Sequence, residues 1–430
     1  MAGPAASDRT RTPSRRAPAG ERRTRPVEYS ILYTATLCML AAGAVMVYSA
    51  SSAESLLDGS GDPSAYLKRY LMLGMAGLAL MYAASRYGLR LVRQLTPLLL
   101  GGSFALTVAV MLPGVGVSVN GATRWLGAGP VQFQPSELLK LSLVLYAAQV
   151  LATRPRSIET LAGICRPLLL VVGAAFVLLM AQPDMGTSMV ICFAIGALLV
   201  AAGTPLRHIG ALGGGLAALA FVLAVIEPYR MARMTSFLNP FADAGDTGFQ
   251  AVQGLTAIGS GGLFGVGLGE SVQKIFYLPE AHTDMILAII GEELGVVGML
   301  GVASLYVLIG YAGLRAAKAA RDRYSKLLAA GITSLILCQA TLNFFAVLGM
   351  APLTGVPLPF ISYGSTNLIV LLGGMGLLLN IAATGGMAAR AARPRLRAID
   401  GGRAREGRDR GGRDGGARGA GAGRRRRTAS

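Results

Sequence analysis

The sequence predicts an all-α, polytopic integral membrane protein with about ten transmembrane helices. Of its 430 residues, 53% are hydrophobic and only 14% are charged, whereas a soluble domain of this length needs more charge to cover its surface. The hydrophobic residues come in blocks long enough to cross a hydrocarbon core, which takes roughly 20 helical residues. Because these blocks do not alternate with a period of two, they exclude the strands of a membrane β-barrel.

Ten hydrophobic blocks are expected to span the membrane, and the cationic residues between them predict the orientation. If the N-terminus is cytoplasmic, most Arg and Lys residues of the loops lie on the inner side, as the positive-inside rule requires. An even number of spans then returns the C-terminus to the cytoplasm. The predicted spans are 31–50, 66–84, 96–112, 136–153, 167–182, 188–204, 208–227, 285–311, 327–350 and 368–386.

Of the outer loops in this topology, four are the polar loops in which a site is sought: 113–135, 183–187, 228–284 and 351–367. The third is too long for a simple connection and too apolar for a linker. Within it, GFQAVQGLTAIGSGGLFGVGLG has the glycine spacing of short, closely packed or re-entrant pieces at the surface. Loops of this kind carry function more often than spans do, so candidate site residues are sought there.

The chain is expected to have three parts: a basic cytoplasmic N-terminus at 1–29, a transmembrane domain at 30–386, and an Arg/Gly-rich cytoplasmic tail at 387–430. The N-terminal part carries seven Arg against three acidic residues and the tail fourteen against four, which gives +4 and +10 of the net +18. Both parts lack apolar periodicity and are expected to be disordered. A Gly/Arg tail can bind nucleic acid, but on a membrane protein we favour a tail held near anionic lipid and expect no nucleic-acid partner.

The segment NGATRWLGAGPVQFQPSELLKL at 120–141 leads into the predicted fourth span. Its last proline suits the first turn of a helix, which places Glu137 and Lys140 on one face just inside the membrane. Such a pair is often plain helix support, but a charge in hydrocarbon costs at least about 2.5 kcal/mol, so we favour a substrate contact or an essential internal pair. In the preceding loop Arg124 and Trp125 are candidate substrate-binding residues, with an interfacial aromatic anchor as the alternative for the indole.

The sharpest cluster of acids lies in LPEAHTDMILAIIGEELG at 278–295. Asp284 is predicted to begin the eighth span, and Glu292 and Glu293 follow roughly 12 Å deeper in the hydrocarbon. A helix cap would explain Asp284 alone, but it would not explain two further carboxylates at that depth. A carboxylate at the boundary between water and hydrocarbon suits general-base catalysis, so Asp284 is the predicted base, with His282 beside it as a substrate-binding candidate.

Two short outer segments leave their roles open. QPDMGTS at 182–188 and TGVPLPFISYGSTN at 354–367 are rich in Pro and Gly and could serve packing alone. Asp184 could bind a cation or cap the sixth span.

Taken together, these stretches resemble the SEDS family of shape, elongation, division and sporulation proteins (FtsW/RodA/SpoVE). They are more similar to its division branch, FtsW, than to its elongation branch, RodA, because of LPEAHTD and the long charged tail. The matching pieces fall in chain order over residues 30–386, and several exceed a dozen residues. They are MVYSAS at 46–51, GATRWLGAGPVQFQPSELLKL, QPDMGT, NPFADAGDTGFQAVQGLTAIGSGGLFGVGLG, LPEAHTDMILAIIGEELG and PLTGVPLPFISYG.

The resemblance implies a glycosyltransferase that polymerises lipid II, the disaccharide–pentapeptide carried on undecaprenyl pyrophosphate, during septal cell-wall synthesis at the plasma membrane. It implies a class B penicillin-binding protein and other divisome proteins as partners. Matched residue by residue, the family's catalytic aspartate falls on Asp284 and its essential loop tryptophan on Trp125. The family's glutamate and lysine of the fourth span fall on Glu137 and Lys140. Family members often have a double Gly followed by Ser in the last outer loop, whereas this chain reads SYGSTN at 362–367, which puts a backbone role of the second glycine in doubt.

The residues fit that chemistry. The acceptor hydroxyl must lose a proton as it attacks the anomeric carbon, and Asp284 can accept it. The pyrophosphate that leaves carries negative charge and needs cations, for which the candidates are Lys140, Arg124, Arg230, Arg233 and Lys274. A divalent cation, Mg²⁺ or Mn²⁺, could assist. No organic cofactor is expected, and no Cys/His metal site either, because the four cysteines are isolated and there are only two histidines.

The alternatives are a lipid II flippase or transporter, an elongation polymerase of the RodA type, and a non-enzymatic division scaffold. Transporters usually show repeated halves with sites near the midplane, whereas this chain shows no internal repeat and gathers its polar residues at the predicted outer face. A scaffold would leave the acids around Asp284 without an explanation.

Overall fold

The computed structural model describes residues 25–57, 62–87, 89–119, 122–128, 131–226, 237–246, 248–275 and 277–392. The two terminal segments predicted to be disordered lie largely outside these ranges, as do the candidate cations Arg230 and Arg233. The helices are α1 (Val27–Leu57), α2 (Ala65–Tyr87), α3 (Leu89–Ala109), α4 (Pro135–Thr153), α5 (Leu161–Ile164), α6 (Leu170–Ala181), α7 (Met185–Ala202), α8 (Leu206–Ile226), α9 (Phe249–Gly261), α10 (Ile286–Ala319), α11 (Arg323–Val347) and α12 (Ser365–Ala392). Short 3₁₀ turns cover Pro155–Glu159 and Pro240–Asp243, and a π-helical turn at Cys165–Leu169 joins α5 to α6.

Each predicted span overlaps a helix of the structure, and a multi-pass membrane protein is confirmed. Among the described residues, seven helices are long and apolar enough to cross a membrane. They are Val27–Ala53, Leu89–Ala109, Pro135–Thr153, Met185–Ala202, Ile286–Ala319, Arg323–Val347 and Ser365–Gly385. The other three predicted spans coincide with α2, with the 12-residue α6 and with α8. The count of ten therefore stays a prediction, as does the cytoplasmic position of the two termini.

The expectation of a purely helical protein is wrong in one place, the loop predicted at 113–135. Strands β1 (Gly116–Val119), β2 (Ala122–Ala128) and β3 (Val131–Phe133) form an antiparallel sheet in the order β1-β2-β3. The sequence contains a signal for this sheet, although the signal does not lie in an apolar block. Asn-Gly at 120–121, flanked by β-branched and aromatic residues, is a strong hairpin signal.

Helices α4, α7, α10 and α11 form the centre of the bundle: α10 packs on α1, α9 and α11, and α11 packs on α4 and α7. Glycines allow the helices to approach closely, as is usual in membrane proteins. A Cβ at Gly331 would lie 2.7 Å from Val144 Cγ1 of α4, and one at Gly376 would lie 2.4 Å from the backbone oxygen of Met81 in α2. Substitution of Gly376 would force two helices apart, and substitution of Gly331 would require the side chain of Val144 to move.

Helix α10 is broken at Gly295, where φ is 67° and ψ is −165°. The break frees the carbonyls of Glu292 and Glu293, which accept hydrogen bonds from the amides of Val266 at 2.9 Å and Gly267 at 3.1 Å. In return, the amides of Val296 and Val297 donate to the carbonyls of Gly262 and Leu263 at 3.1 and 3.2 Å. The glycine-rich segment after α9 thus replaces one turn of helix, which accounts for the predicted close packing of this loop.

Candidate functional site

Loops predicted to lie on the same side of the membrane meet at one end of the helices. Arg124 of β2 donates from Nε to the carbonyl of Gln182 at 3.0 Å and also donates to the carbonyl of Pro183. The amide of Gln134, just after β3, donates to Thr366 Oγ1 at 2.8 Å. The sheet therefore contacts both the turn before α7 and the start of α12. We call this the sheet end of the bundle.

Asp184 caps α7 at the sheet end. Its side chain is 3% exposed and accepts from the backbone amide of Thr187 at 3.2 Å. The hydroxyl of Ser136, in the first turn of α4, lies 3.3 Å from the other carboxylate oxygen. Of the two roles that the sequence left open, the structure shows the cap.

Asp284 lies in the turn before α10, partly buried, and the helix begins two residues after it. The N-cap residue is Met285, so Asp284 is not the cap. The carbonyl of Asp284 accepts from Asn343 Nδ2 at 2.7 Å, and its Oδ1 lies 3.3 Å from Thr283 Oγ1. Its other oxygen faces Gly355, where an added Cβ would lie 3.8 Å from Oδ2. The carboxylate therefore sits where the turn before α10 meets the loop before α12.

Two amides of α11 hold that loop in place. Asn343 Nδ2, which binds the carbonyl of Asp284, also lies 2.8 Å from the carbonyl of Val356. One helical turn earlier, Gln339 Nε2 donates to the carbonyl of Pro357 at 2.9 Å. The sequence analysis missed these residues, although two amides four positions apart in an apolar span were a usable signal.

Glu137 and Lys140 form the internal pair that the sequence predicted. Glu137 Oε2 and Lys140 Nζ lie 2.9 Å apart, with side chains 3% and 2% exposed. Asn367 Nδ2 of α12 donates to Glu137 Oε2 at 2.6 Å, and Lys140 Nζ donates to Gln339 Oε1 at 2.9 Å. The pair thus joins α4, α11 and α12 below the loop that faces Asp284. Because Glu137 balances the charge of Lys140, the geometry supports a role in holding the site together.

Lys274, predicted as a cation for the leaving group, is engaged within the protein. Its Nζ lies 2.9 Å from Glu293 Oε1, 2.6 Å from the carbonyl of Gly269 and 3.2 Å from Ser49 Oγ of α1. The side chain of Lys274 is 6% exposed and that of Glu293 is fully buried. The geometry gives Lys274 a structural task, and its contact with substrate stays a prediction.

Glu292 also binds the loop that contains Lys274. One carboxylate oxygen accepts from Ser271 Oγ, and the other accepts from the amide of Val272 at 3.0 Å. The two acids that seemed out of place at this depth therefore fasten the 262–274 segment to α10.

An aromatic cluster surrounds His282, which is 7% exposed. The centroid of its ring lies 4.4 Å from that of Tyr66 and 5.8 Å from that of Tyr363, and the two tyrosine rings lie 5.2 Å apart. The guanidinium of Arg69 lies 5.8 Å from the centroid of the Tyr66 ring, within cation–π range. Tyr363 also donates its backbone amide to the carbonyl of His282 at 3.0 Å. The structure thus adds an arginine to the surroundings of the Asp284 turn.

The start of α2 is fixed by Asp62, which precedes the helix. Its carboxylate accepts from Lys68 Nζ at 2.7 Å and from the hydroxyl and amide of Ser64. The hydrogen bond from Lys68 is the main reason why the pKa of Asp62 is lowered to about 2. Asp62 is therefore ionised at every pH at which the protein is expected to work.

Trp125 lies in β2, half-buried, opposite Val117 of β1. Its predicted contact with substrate stays a prediction.

The donor set around Asp284 does not fit a metal site built from protein side chains. In the part of the chain that the structure describes, no group of three or more His, Cys, Asp or Glu residues is placed to hold an ion. We therefore derive no step through Mg²⁺ or Mn²⁺.

Comparison with known proteins identifies the family. The FtsW/RodA/SpoVE family, described as "Cell cycle protein", matches residues 29–385. The chain belongs to this family. The probable peptidoglycan glycosyltransferase FtsW of Thioalkalivibrio sulfidiphilus (strain HL-EbGR7) is 44% identical over 359 residues, which are 81% of this chain and 88% of that protein. Stage V sporulation protein E of Bacillus subtilis (strain 168) is 39% identical over 355 residues, which are 82% of this chain and 96% of that protein.

Solved structures of the family have the same fold. A chain from a peptidoglycan synthase complex, in work on the coordination of polymerization and crosslinking, aligns with a TM-score of 0.65 at 30% identity. The alignment covers 82% of this chain and 96% of that one. The crystal structure of the rod shape determining protein RodA of Thermus thermophilus aligns with a TM-score of 0.58 at 29% identity, covering 82% and 95%. The predicted resemblance is confirmed.

This family member departs from the expected double glycine in the last loop, and the structure shows what the replacing residues do. Ser365 Oγ donates to the carbonyl of Gln132 in β3 at 2.9 Å, and Thr366 accepts from the amide of Gln134. Asn367 binds Glu137. The polar residues after Gly364 therefore link the start of α12 to the sheet and to α4.

Proposed function

We propose that this chain is a peptidoglycan glycosyltransferase that polymerises lipid II into glycan strands at the outer membrane face, with Asp284 as the general base. Family membership and relatives named as probable peptidoglycan glycosyltransferases support the activity. The role of Asp284 is inferred from the family resemblance and the geometry, and the outer position of the sheet end from the charge pattern.

The observation that carries the assignment of Asp284 is that it differs in position and contacts from the other acids of the bundle. Glu137 and Glu293 are each paired with a buried lysine. Glu292 binds a loop hydroxyl and amide, and Asp184 caps α7. These four carboxylates have structural tasks in the interior. Asp284 is only partly buried and lies at the meeting point of two loops, where its backbone carbonyl accepts from Asn343.

In the proposed reaction an acceptor sugar hydroxyl attacks the anomeric carbon of the donor. The hydroxyl proton passes to the Asp284 carboxylate, the new glycosidic C–O bond forms, and the bond to undecaprenyl pyrophosphate breaks. Asn343 holds the backbone of Asp284 while Gly355 leaves room beside the carboxylate. Because Lys140 and Lys274 are both paired, we assign the pyrophosphate to less buried cations, with Arg69 and Arg124 as the described candidates.

The charge pattern supports the outer position of the sheet end. The opposite end of the bundle carries Arg154 at the end of α4, Arg315 and Lys318 near the end of α10, and Arg323 at the start of α11. Cationic ends of this kind face the cytoplasm. The proposed location is the bacterial plasma membrane at the division septum. The proposed partners are a class B penicillin-binding protein, as the complex of the structural relative suggests, and other divisome proteins.

The test is polymerisation of purified lipid II by full-length protein carrying Asp284→Asn, with and without the penicillin-binding partner. Asparagine keeps the size of the side chain but cannot take up a proton, so the rate should fall by about 100- to 10,000-fold, the usual worth of a positioned base. Binding of lipid II should change little. The matched control is Asp246→Asn, the same substitution at an exposed acid of the predicted outer loop 228–284, which should keep the wild-type rate.

Three results would count against the proposal. If Asp284→Asn polymerises at nearly the wild-type rate, Asp284 is not the base. If Asp246→Asn loses as much activity as Asp284→Asn, the loss reports a general effect of removing an outer acid rather than loss of a proton acceptor. If the wild-type protein moves lipid II between leaflets but never polymerises it, even with its partner, the transporter alternative replaces the polymerase.

A further inference from the structure

A cavity of about 820 Å³ lies between α3, α4 and the α5–α6 segment, away from the site of Asp284. This volume falls within the range of about 300–1,000 Å³ that is usual for ligand pockets. The lining residues come from α3, from the second half of α4 and the residue that follows it, and from the segment between Arg166 and Ala174.

The cavity opens at the end of the bundle opposite the sheet. Glu137, near the start of α4, belongs to the sheet end, whereas Arg154 follows the last residue of the same helix. The two positions are 17 residues apart, or about 26 Å along the helix axis. A ligand at Arg154 therefore cannot contact Asp284, and the cavity is not part of the proposed polymerase site.

The walls of the cavity are apolar and its rim is cationic. Leu100 and Phe104 are half-buried lining residues, whereas Arg154 and Arg166 are exposed lining residues. A guanidinium presents a rigid fork of donors that matches the geometry of a phosphate group. An apolar wall beside two such groups suits a molecule with an anionic head and a hydrocarbon tail.

The backbone around the cavity is irregular. Pro97 lies inside α3, and the opposite wall contains the π-helical turn Cys165–Leu169. In membrane proteins irregular backbone is tolerated where it lines a cavity, and π-helical turns are frequent at functional sites. Between these walls, Gln149 Oε1 is buried and has no hydrogen-bond partner within the described part of the chain. A polar group on the ligand would supply that partner.

We propose that this cavity binds one anionic phospholipid. The phosphate group lies between Arg154 and Arg166, a hydroxyl or ester group of the lipid meets Gln149, and one acyl chain runs along Leu100 and Phe104. In the proposed topology the rim faces the cytoplasm, where basic pockets between transmembrane helices bind anionic headgroups. A soluble phosphate compound would bind the two arginines but would leave the apolar walls of the cavity exposed to water.

The experiment counts phosphatidylglycerol bound to the full-length protein by native mass spectrometry. The protein is released from nanodiscs of phosphatidylcholine that contain an increasing fraction of phosphatidylglycerol. A high-salt wash removes lipid held only by the Arg-rich tails, because surface attraction is screened by salt. The wild type should keep one phosphatidylglycerol. Arg154→Gln/Arg166→Gln should weaken its retention by at least about tenfold, as expected when charge-assisted contacts are lost.

Two matched pairs of variants test the two halves of the site. Arg156→Gln removes an exposed cation two residues from Arg154 that does not line the cavity, and it should keep the lipid. Gly101→Leu should place a side chain in the path of the acyl chain and weaken lipid retention, whereas Gly102→Leu, at a neighbouring exposed glycine outside the lining, should not. A Cβ at either glycine meets no atom within 4 Å, so both variants should fold.

The proposal is overturned if Arg156→Gln loses as much lipid as Arg154→Gln/Arg166→Gln, or if Gly101→Leu retains lipid as the wild type does. It is also overturned if phosphatidylcholine is retained as well as phosphatidylglycerol, which would show an apolar groove without selectivity for charge. Displacement of the lipid by inorganic phosphate would show that the arginines bind a free anion and that the groove adds nothing.

Discussion

Glu137 and Lys140 form a buried ion pair. Removing the charge of either residue alone should strongly lower the free energy of unfolding. Their charged atoms lie 2.9 Å apart, with side chains 3% and 2% exposed. At an effective dielectric constant of about 20, the attraction at this distance is about 6 kcal/mol, and desolvation offsets much of it. Glu137→Gln keeps an acceptor for Asn367 but leaves the charge of Lys140 unbalanced. We expect it to lower the free energy of unfolding by about 3–5 kcal/mol.

A double-mutant cycle separates the pair from the fold around it. Lys140→Met should destabilise the protein by a similar amount, because it leaves Glu137 charged and buried. The combined variant Glu137→Gln/Lys140→Met should recover most of the loss, since no buried charge remains. Arg315→Gln, which breaks an exposed pair with Glu28, is the control and should have little effect.

The measurement is equilibrium unfolding of the full-length protein in mixed micelles with rising sodium dodecyl sulfate. The fluorescence of the single tryptophan, half-buried in β2, reports on the sheet end. The reasoning is refuted if both single variants lose less than about 1 kcal/mol, within the range of exposed pairs. It is also refuted if the combined variant loses the sum of the two single losses, because the charges would then not be coupled.

Three further predictions test other parts of the structure. Gly265→Ala should lower the free energy of unfolding by at least about 2 kcal/mol in the same assay, because φ is 82° and the new Cβ would lie 2.1 Å from the carbonyl oxygen of Glu293. The control Gly259→Ala, whose Cβ would have no atom within 4 Å, should not destabilise the protein. Equal effects of the two substitutions would contradict the role of the glycine-rich segment. Asn343→Ala should slow polymerisation by about 10- to 100-fold through misplacement of Asp284 while lipid II binding persists, and an unchanged rate would remove Asn343 from the site. In a variant without native cysteines, a cysteine at position 243 should react with an impermeant thiol reagent from outside the cell, and one at position 321 should not. The reverse pattern would overturn the outer position of the sheet end.

The membrane-spanning character and the family follow from local features of the sequence. Apolar blocks of spanning length and long matching segments are readable one stretch at a time. The pair Glu137–Lys140 was predictable for the same reason, since helical periodicity alone places residues three apart on one face. The sheet at 116–133 was missed although its hairpin signal was local, because the search was for apolar blocks.

The structural tasks of the buried acids depended on contacts between residues far apart in the chain. The sequence showed Glu292, Glu293 and Lys274 as polar residues near Asp284, but only the folded chain brings Ser49 and the 269–274 loop against them. A charge buried in a bundle must find a partner, and its identity is set by helix packing rather than by sequence distance. The amides of α11 likewise gain their roles only when the loop before α12 lies across them.

The sequence by itself determined that this chain crosses the membrane, which family it resembles, and that Asp284 stands at the start of a span. Hydrophobicity and periodicity act over a few helical turns, so they can be read without the fold. The tertiary structure decided that the loops before α4, α7, α10 and α12 meet at one end, and that Lys140 and Lys274 are neutralised. It also placed a cavity rimmed by Arg154 and Arg166 at the other end. These features depend on how the helices pack, because buried charges and cavities are properties of the space between elements and not of any one element.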